Sequence, residues 1–143
     1  MMLNIVEYEQ RHIEEIETAF DFCAAARGKF RNGQDVVGYT LVDGEKIVAT
    51  AGIHIMWPGV GEGWLIMSKH AVEYGRSVAR YAYRGFDSIM ADNGLHRVQA
   101  SVSSLDPEAV RFARWMGFEN EGIMEKFGPD GSDYYRMARI SRC

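Results

Sequence analysis

Cysteine is nearly missing from this chain: among 143 residues there are two, Cys23 and Cys143. One falls inside a helical pattern and the other is the final residue, so they make neither a disulfide framework nor a zinc site. A reducing, cytoplasmic setting is the expectation. No apolar run approaches the ~20 residues that cross a bilayer, so no membrane partner is expected. The opening Met-Met-Leu-Asn-Ile-Val lacks the basic start, apolar middle and small-residue cleavage site of a secretory signal. A surplus of positive charge is also missing: 16 Lys and Arg face 20 Asp and Glu, a net charge of -4. That balance speaks against a general nucleic-acid binder, which needs an electropositive face to release counterions. The four histidines, His12, His54, His70 and His96, have no metal-ligand or triad spacing. There is no repeat, low-complexity tract or linker, and residues 1–143 read as a single domain.

What is present is hydrophobic patterning that changes period along the chain. Leu3 to Tyr8 reads as a strand. Ile13, Ile16, Phe20 and Cys23 then recur every three or four positions, which predicts an amphipathic helix from Gln10 to about Lys29. Val36 to Val42 and Lys46 to Trp57 are rich in β-branched and aromatic residues and are joined by Asp43-Gly44-Glu45, a hairpin signature. Glu62 to Ser68 is a third strand, apolar enough to be buried on both faces.

A long helix is predicted over Arg76 to Asp92, with Val78, Ala82, Phe86, Ile89 and Met90 on one side and Asn93-Gly94 as its stop. His96 to Ser103 alternates as a strand. Asp106-Pro107 opens a further helix, Asp as cap and Pro at the first turn, with Val110, Phe112, Ala113 and Met116 as its apolar face. Phe118 to Phe127 and Asp133 to Ile140 close the chain as a hairpin. The order β-α-β-β-β-α-β-α-β-β predicts an α/β protein: a mixed sheet with helices on both faces.

Asp106-Pro107-Glu108-Ala109-Val110-Arg111-Phe112-Ala113-Arg114-Trp115-Met116-Gly117-Phe118 resembles the second motif of the GNAT superfamily of acyl-CoA N-acyltransferases. Ala109, Phe112, Gly117 and Phe118 fall on that motif's apolar and glycine positions. Together with the element order, this likeness covers nearly the whole chain and implies a GNAT-like acyl-CoA N-acyltransferase fold.

The resemblance implies acetyl-CoA as cofactor and direct transfer of its acetyl group to a primary amine of a small molecule or peptide. The cofactor loop falls at Tyr74, Gly75, Arg76, Ser77, Val78, Ala79 and Arg80, where main-chain amides at a helix start would hold the diphosphate. The loop is degenerate: Tyr74 stands where the family has Arg or Gln, and Ser77 at its first glycine. A packing role for Gly75, Ser77 and Ala79 is the other reading. Met67, Ser68 and Lys69 fall where a main-chain amide polarises the thioester carbonyl, and Asp106 and Phe112 fall on the second motif beside the cofactor. The family's acidic tyrosine falls at Ala113, which has no proton to give, leaving Tyr134, Ser104 or water. Glu62 and His54 are the candidate bases, each also explicable as a strand-end carboxylate and a packed histidine.

The weak loop implies a competing reading, a non-catalytic coenzyme A-binding or assembly protein. A looser likeness links the chain to GNAT-like internal virion proteins of short-tailed bacteriophages, which would place it in the virion or host cytoplasm. Trp57 and Trp115, where exposed, would mark a partner surface, for instance that of a homodimer.

Overall fold

A computed structural model of the chain describes residues 3–16, 36–69 and 71–141. Its elements are β1 (Leu3–Glu7), α1 (Gln10–Glu15), β2 (Val36–Asp43), β3 (Lys46–Trp57) and β4 (Val60–Met67). A 3-10 turn (Ala71–Tyr74) then leads into α2 (Arg76–Asp92), followed by β5 (Arg97–Ser103), α3 (Pro107–Trp115), β6 (Glu119–Met124) and β7 (Tyr134–Ile140). One element departs from the expected pattern. The first helix does not run on toward Lys29, because Ile16 is extended (φ -66°, ψ 132°) and ends it. Cys23 and the rest of that predicted helix lie outside the described residues.

The seven strands form one sheet in the order β1-β2-β3-β4-β5-β7-β6. Every neighbouring pair is antiparallel except β4 and β5. Those two are joined by α2, and a crossover of that length is what a parallel pair requires. The expected mixed sheet with helices on both faces is what forms.

Each face of the sheet has its own core. Ile53, Val98 and Met137, all with no exposed surface, look toward α2 and α3 and pack with Phe86, Ile89, Met90, Met116 and Phe118. Strand alternation then sends Trp64 and Ile66 to the opposite face, where they meet Ile13 and Ile16. Gly63 explains how α2 lies so close: an added Cβ would stand 3.0 Å from both Phe86 and Val98. Trp57 and Trp115 are both exposed.

The α1 face also holds a buried polar chain. The Glu9 main-chain N–H donates to Nδ1 of His12 at 3.0 Å, so that nitrogen is the acceptor and the ring proton sits on Nε2, toward Glu9 Oε2 at 3.5 Å. The Thr40 hydroxyl lies 2.7 Å from the same Nδ1 and 2.9 Å from the Thr50 hydroxyl. His12, Thr40 and Thr50 are all buried. Burial, assisted by the neighbouring Arg11 guanidinium, holds the His12 pKa below its ordinary 6.5.

Two outcomes follow. Ile53→Ala should lose about 2–5 kcal/mol in urea denaturation, the range for truncating a fully buried aliphatic side chain. His12 binds a proton more readily in the unfolded chain, so its contribution is complete above pH 6.5 and is lost as pH falls below that value. The melting temperature should therefore drop between pH 7 and 5, and His12→Gln should flatten that slope.

Candidate active site

The register between β4 and β5 lasts three residues: Val60 with Arg97, Gly61 with Val98, and Glu62 with Gln99. Beyond that rung the strands part. β4 stays paired with β3 as far as Met67, and β5 stays paired with β7 as far as Ser103. Each strand follows its outer neighbour, and a cavity of about 880 Å³ opens between them. Its volume lies within the range of small-molecule sites.

Ladder alternation gives this opening its chemistry. The Ser68 N–H donates to the Val48 carbonyl at 2.8 Å, so even-numbered residues of β4 direct their main-chain groups toward β3. The Gly63 N–H completes the last rung to the Gln99 carbonyl, and the Gly63 C=O and the N–H and C=O groups of Leu65 and Met67 point the same way, into the gap. Of the three residues expected to supply a carbonyl-polarising amide, Met67 presents one, whereas Ser68 is engaged by Val48. Lys69 follows in the turn and also lines the cavity.

Side chains from both faces line the opening. Phe86, Phe118 and Met116 come from the helical side, and Trp64, Ser101 and Ser103 from the other, so the cavity passes through the sheet. The Ser101 hydroxyl is buried without a hydrogen-bond partner among the described residues. α3 has no fully buried residue between Pro107 and Trp115. Phe112 and Ala113, which the 3.6-residue period marks as core, pack against it only partly buried and line the cavity as well, as does Ala109. Asp106 also lines it, but its carboxylate accepts from the Ala109 N–H at 3.1 Å and caps α3.

Tyr134, the first residue of β7, lines the cavity opposite the β4 edge and packs against the Phe127 ring at 5.3 Å. Glu62 and His54 are paired across β3 and β4 on the α1 face. Glu62 sits on the last closed rung, beside Gly63 where the gap begins, with Arg136 Nη1 3.5 Å from its Oε1.

The predicted diphosphate loop lies at the start of α2, outside the cavity wall. Gly75, Arg76, Ser77, Val78, Ala79 and Arg80 are not among the residues that line the cavity. Tyr74 and Val78 are buried against Leu41 and Val48, beneath β2 and β3. The Tyr74 hydroxyl donates to Asp43 Oδ2 at 2.7 Å, which raises its pKa. Tyr74 thus has no free phenol for a ligand, and neither it nor Tyr81, in the same apolar cluster, closes the gap. Gly75, with φ 56° and ψ -131°, makes the turn into α2 in a conformation other residues rarely adopt. Arg76 and Arg80 are exposed on the first turns of that helix.

Sequence reasoning missed the cavity's small and polar lining, notably Gly63, Ala100, Ser101 and Ser103. The available signal was small residues in both parallel strands, where a packed sheet would carry larger ones.

No protein-family model matches the sequence, and no curated protein matches it. Solved structures do. A chimera of the Vibrio cholerae spermidine N-acetyltransferase SpeG and hSSAT superposes with a TM-score of 0.73 at 18% identity, over 98% of this chain and 96% of that one. The ribosomal-protein-S5-alanine acetyltransferase of Vibrio fischeri gives 0.71 at 13% identity, over 98% and 93%. The chain has the GNAT acyltransferase fold.

Asp106→Ala should cost about 1 kcal/mol in thermal or urea unfolding, the usual loss of a helix cap. A loss near zero would mean that the carboxylate does not serve α3.

Proposed function

We propose that this protein transfers an acetyl group from acetyl-CoA to a primary amine, within a complex of all three. The observation that carries the reading is the through-sheet cavity with the unpaired β4 edge along one wall. A pantetheine arm has two amides of its own, and an extended ligand with amides can pair with a free strand edge as another strand would. The apolar face of α3 covers such an arm from one side. The diphosphate would lie toward Lys69 and the start of α2, where Arg76 and Arg80 supply positive charge.

Acetyl-CoA would supply the activated acetyl group: its C–S bond breaks as the acceptor nitrogen forms a C–N bond to the same carbonyl carbon. The protein's part is positioning and proton transfer. The Met67 N–H faces the gap beside Lys69, where it can pair with an amide of the arm, and the Leu65 N–H, nearer the closed end, can stabilise negative charge on the carbonyl oxygen. Glu62, at the closed end of the gap, takes the proton from the incoming ammonium, with His54 beside it. Tyr134 returns a proton to the departing thiolate, the task Ala113 cannot perform.

The position of residues 75–80 outside the cavity wall favours a second reading, a protein of this fold without turnover. Titration and thiol release separate the two. Acetyl-CoA at a hundredfold excess over its dissociation constant should stabilise the protein by about 2.7 kcal/mol. Ala100→Phe, which fills the gap, should abolish that shift. Tyr134→Phe should lower kcat by about a hundredfold with a smaller change in KM. Binding without thiol release for any amine would leave the non-catalytic reading standing; no binding would remove both the enzymatic and the coenzyme A-binding roles.

A further inference from the structure

The face of the sheet opposite α2 and α3 carries two arginines on neighbouring strands, in different states. Arg97 on β5 is firmly engaged: Nη1 donates to Glu121 at 3.0 Å, Nη2 donates to the same carboxylate, and Nε donates to Gln99 at 3.1 Å. That pairing holds the Glu121 carboxyl below its ordinary pKa.

Arg136 on β7 is not. Its two hydrogen-bond contacts among the described residues are long: Nη1 to Glu62 Oε1 at 3.5 Å and Nη2 to the Met124 sulfur at 3.7 Å. A guanidinium has five N–H donors in a planar fork, and a half-buried one with so little engaged is poised for an anion. About a quarter of the side chain (27%) is still exposed.

Its location matters as much as its state. Arg136 is the register partner of Ser101, which lines the cavity, and it follows Tyr134, which also lines it. Glu62 stands one residue before Gly63, where the gap begins. A cation with spare donors and a carboxylate therefore flank the closed end of the gap, a few ångströms apart on the face away from α2 and α3. His54 is the register partner of Glu62 on the same face, and Arg97 and Glu121 pair with each other there, Glu121 also feeling the charge of Arg136.

We infer that the acceptor is an amine bearing its own carboxylate, an amino acid or a close analogue. Its ammonium would face Glu62 and its carboxylate would take the Arg136 fork. This inference rests on the acyltransferase reading and gives that reading a substrate class. A polycationic acceptor, in contrast, would bring like charge against Arg136 without a second carboxylate to receive it, since Glu121 is held by Arg97.

The test is thiol release from acetyl-CoA by the full chain with three groups of amines: glycine, β-alanine and γ-aminobutyrate; the matched alkylamines lacking the carboxylate; and spermidine. The best amino acid should exceed its matched alkylamine by ~tenfold or more in kcat/KM, about the discrimination one charge-assisted contact provides. That ratio should collapse toward one in Arg136→Gln. Arg136→Lys, which keeps the charge facing Glu62 but loses the planar fork, should retain only part of it. Because the readout is a ratio, a general loss of activity in a variant does not move it.

Equal or better use of alkylamines or spermidine, or an unchanged ratio in Arg136→Gln, would overturn the inference. If no amine releases thiol, the acyltransferase reading fails by itself, and calorimetric titration with the same amino acids decides the matter. Binding weakened ~tenfold by Arg136→Gln would uphold the site, and no binding by the unaltered protein would overturn it.

Discussion

The parting of β4 from β5 after a single short run of parallel rungs is the constraint from which the rest of this molecule follows. A main-chain edge inside a folded sheet is costly to leave unpaired, because buried N–H and C=O groups without partners each lose about 1–3 kcal/mol. The protein holds such an edge open from the Gly63 carbonyl to Met67, and it does so because each strand remains bound to its other neighbour. β3 keeps β4 through Met67, and β7 keeps β5 through Ser103. The opening is thus built into the ladder, with water or a ligand left to satisfy the exposed groups.

The two faces of the sheet divide the remaining work. On one, α2 and α3 form an apolar wall in which Phe86, Phe118 and Met116 serve both core and cavity. On the other, polar residues crowd the closed end: Glu62, Gln99, Ser101 and Arg136. An arm held along the strand edge would bring its reactive end toward that cluster from the helical side, while a second molecule approached from the opposite side. The His12, Thr40 and Thr50 chain lies on the α1 face too, but it braces α1 against β2 and β3 and takes no part in the cavity.

Much of the architecture could be read from residue pattern because local and global signals agree. Asp106-Pro107 is a cap in the sequence and caps α3 in the structure, and Val78, Ala82, Phe86, Ile89 and Met90 are the buried stripe of α2. The site was less legible, for three physical reasons. A helix face turned to a cavity has the same period as one turned to a core, so Phe112 and Ala113 read as packing residues. Main-chain groups leave no mark in residue identity, so only the register shows that Met67 faces the gap and Ser68 does not. The tyrosine at position 74 stands in linear order where the family has Arg or Gln, yet the 3-10 turn carries its ring beneath β2 and β3 to Asp43. Arg136 drew no notice in the sequence, because its significance lies in the contacts it lacks.

Amide hydrogen exchange, followed residue by residue in the free protein, tests the open edge most directly. The amides of Leu65 and Met67 should exchange far faster than those of Ile66 and Ser68, which the β3 ladder holds, and added acetyl-CoA should slow the fast pair. Protection of Leu65 and Met67 equal to that of Ile66 in the absence of ligand would contradict the account, since it would mean that β4 and β5 stay zipped and no edge is offered.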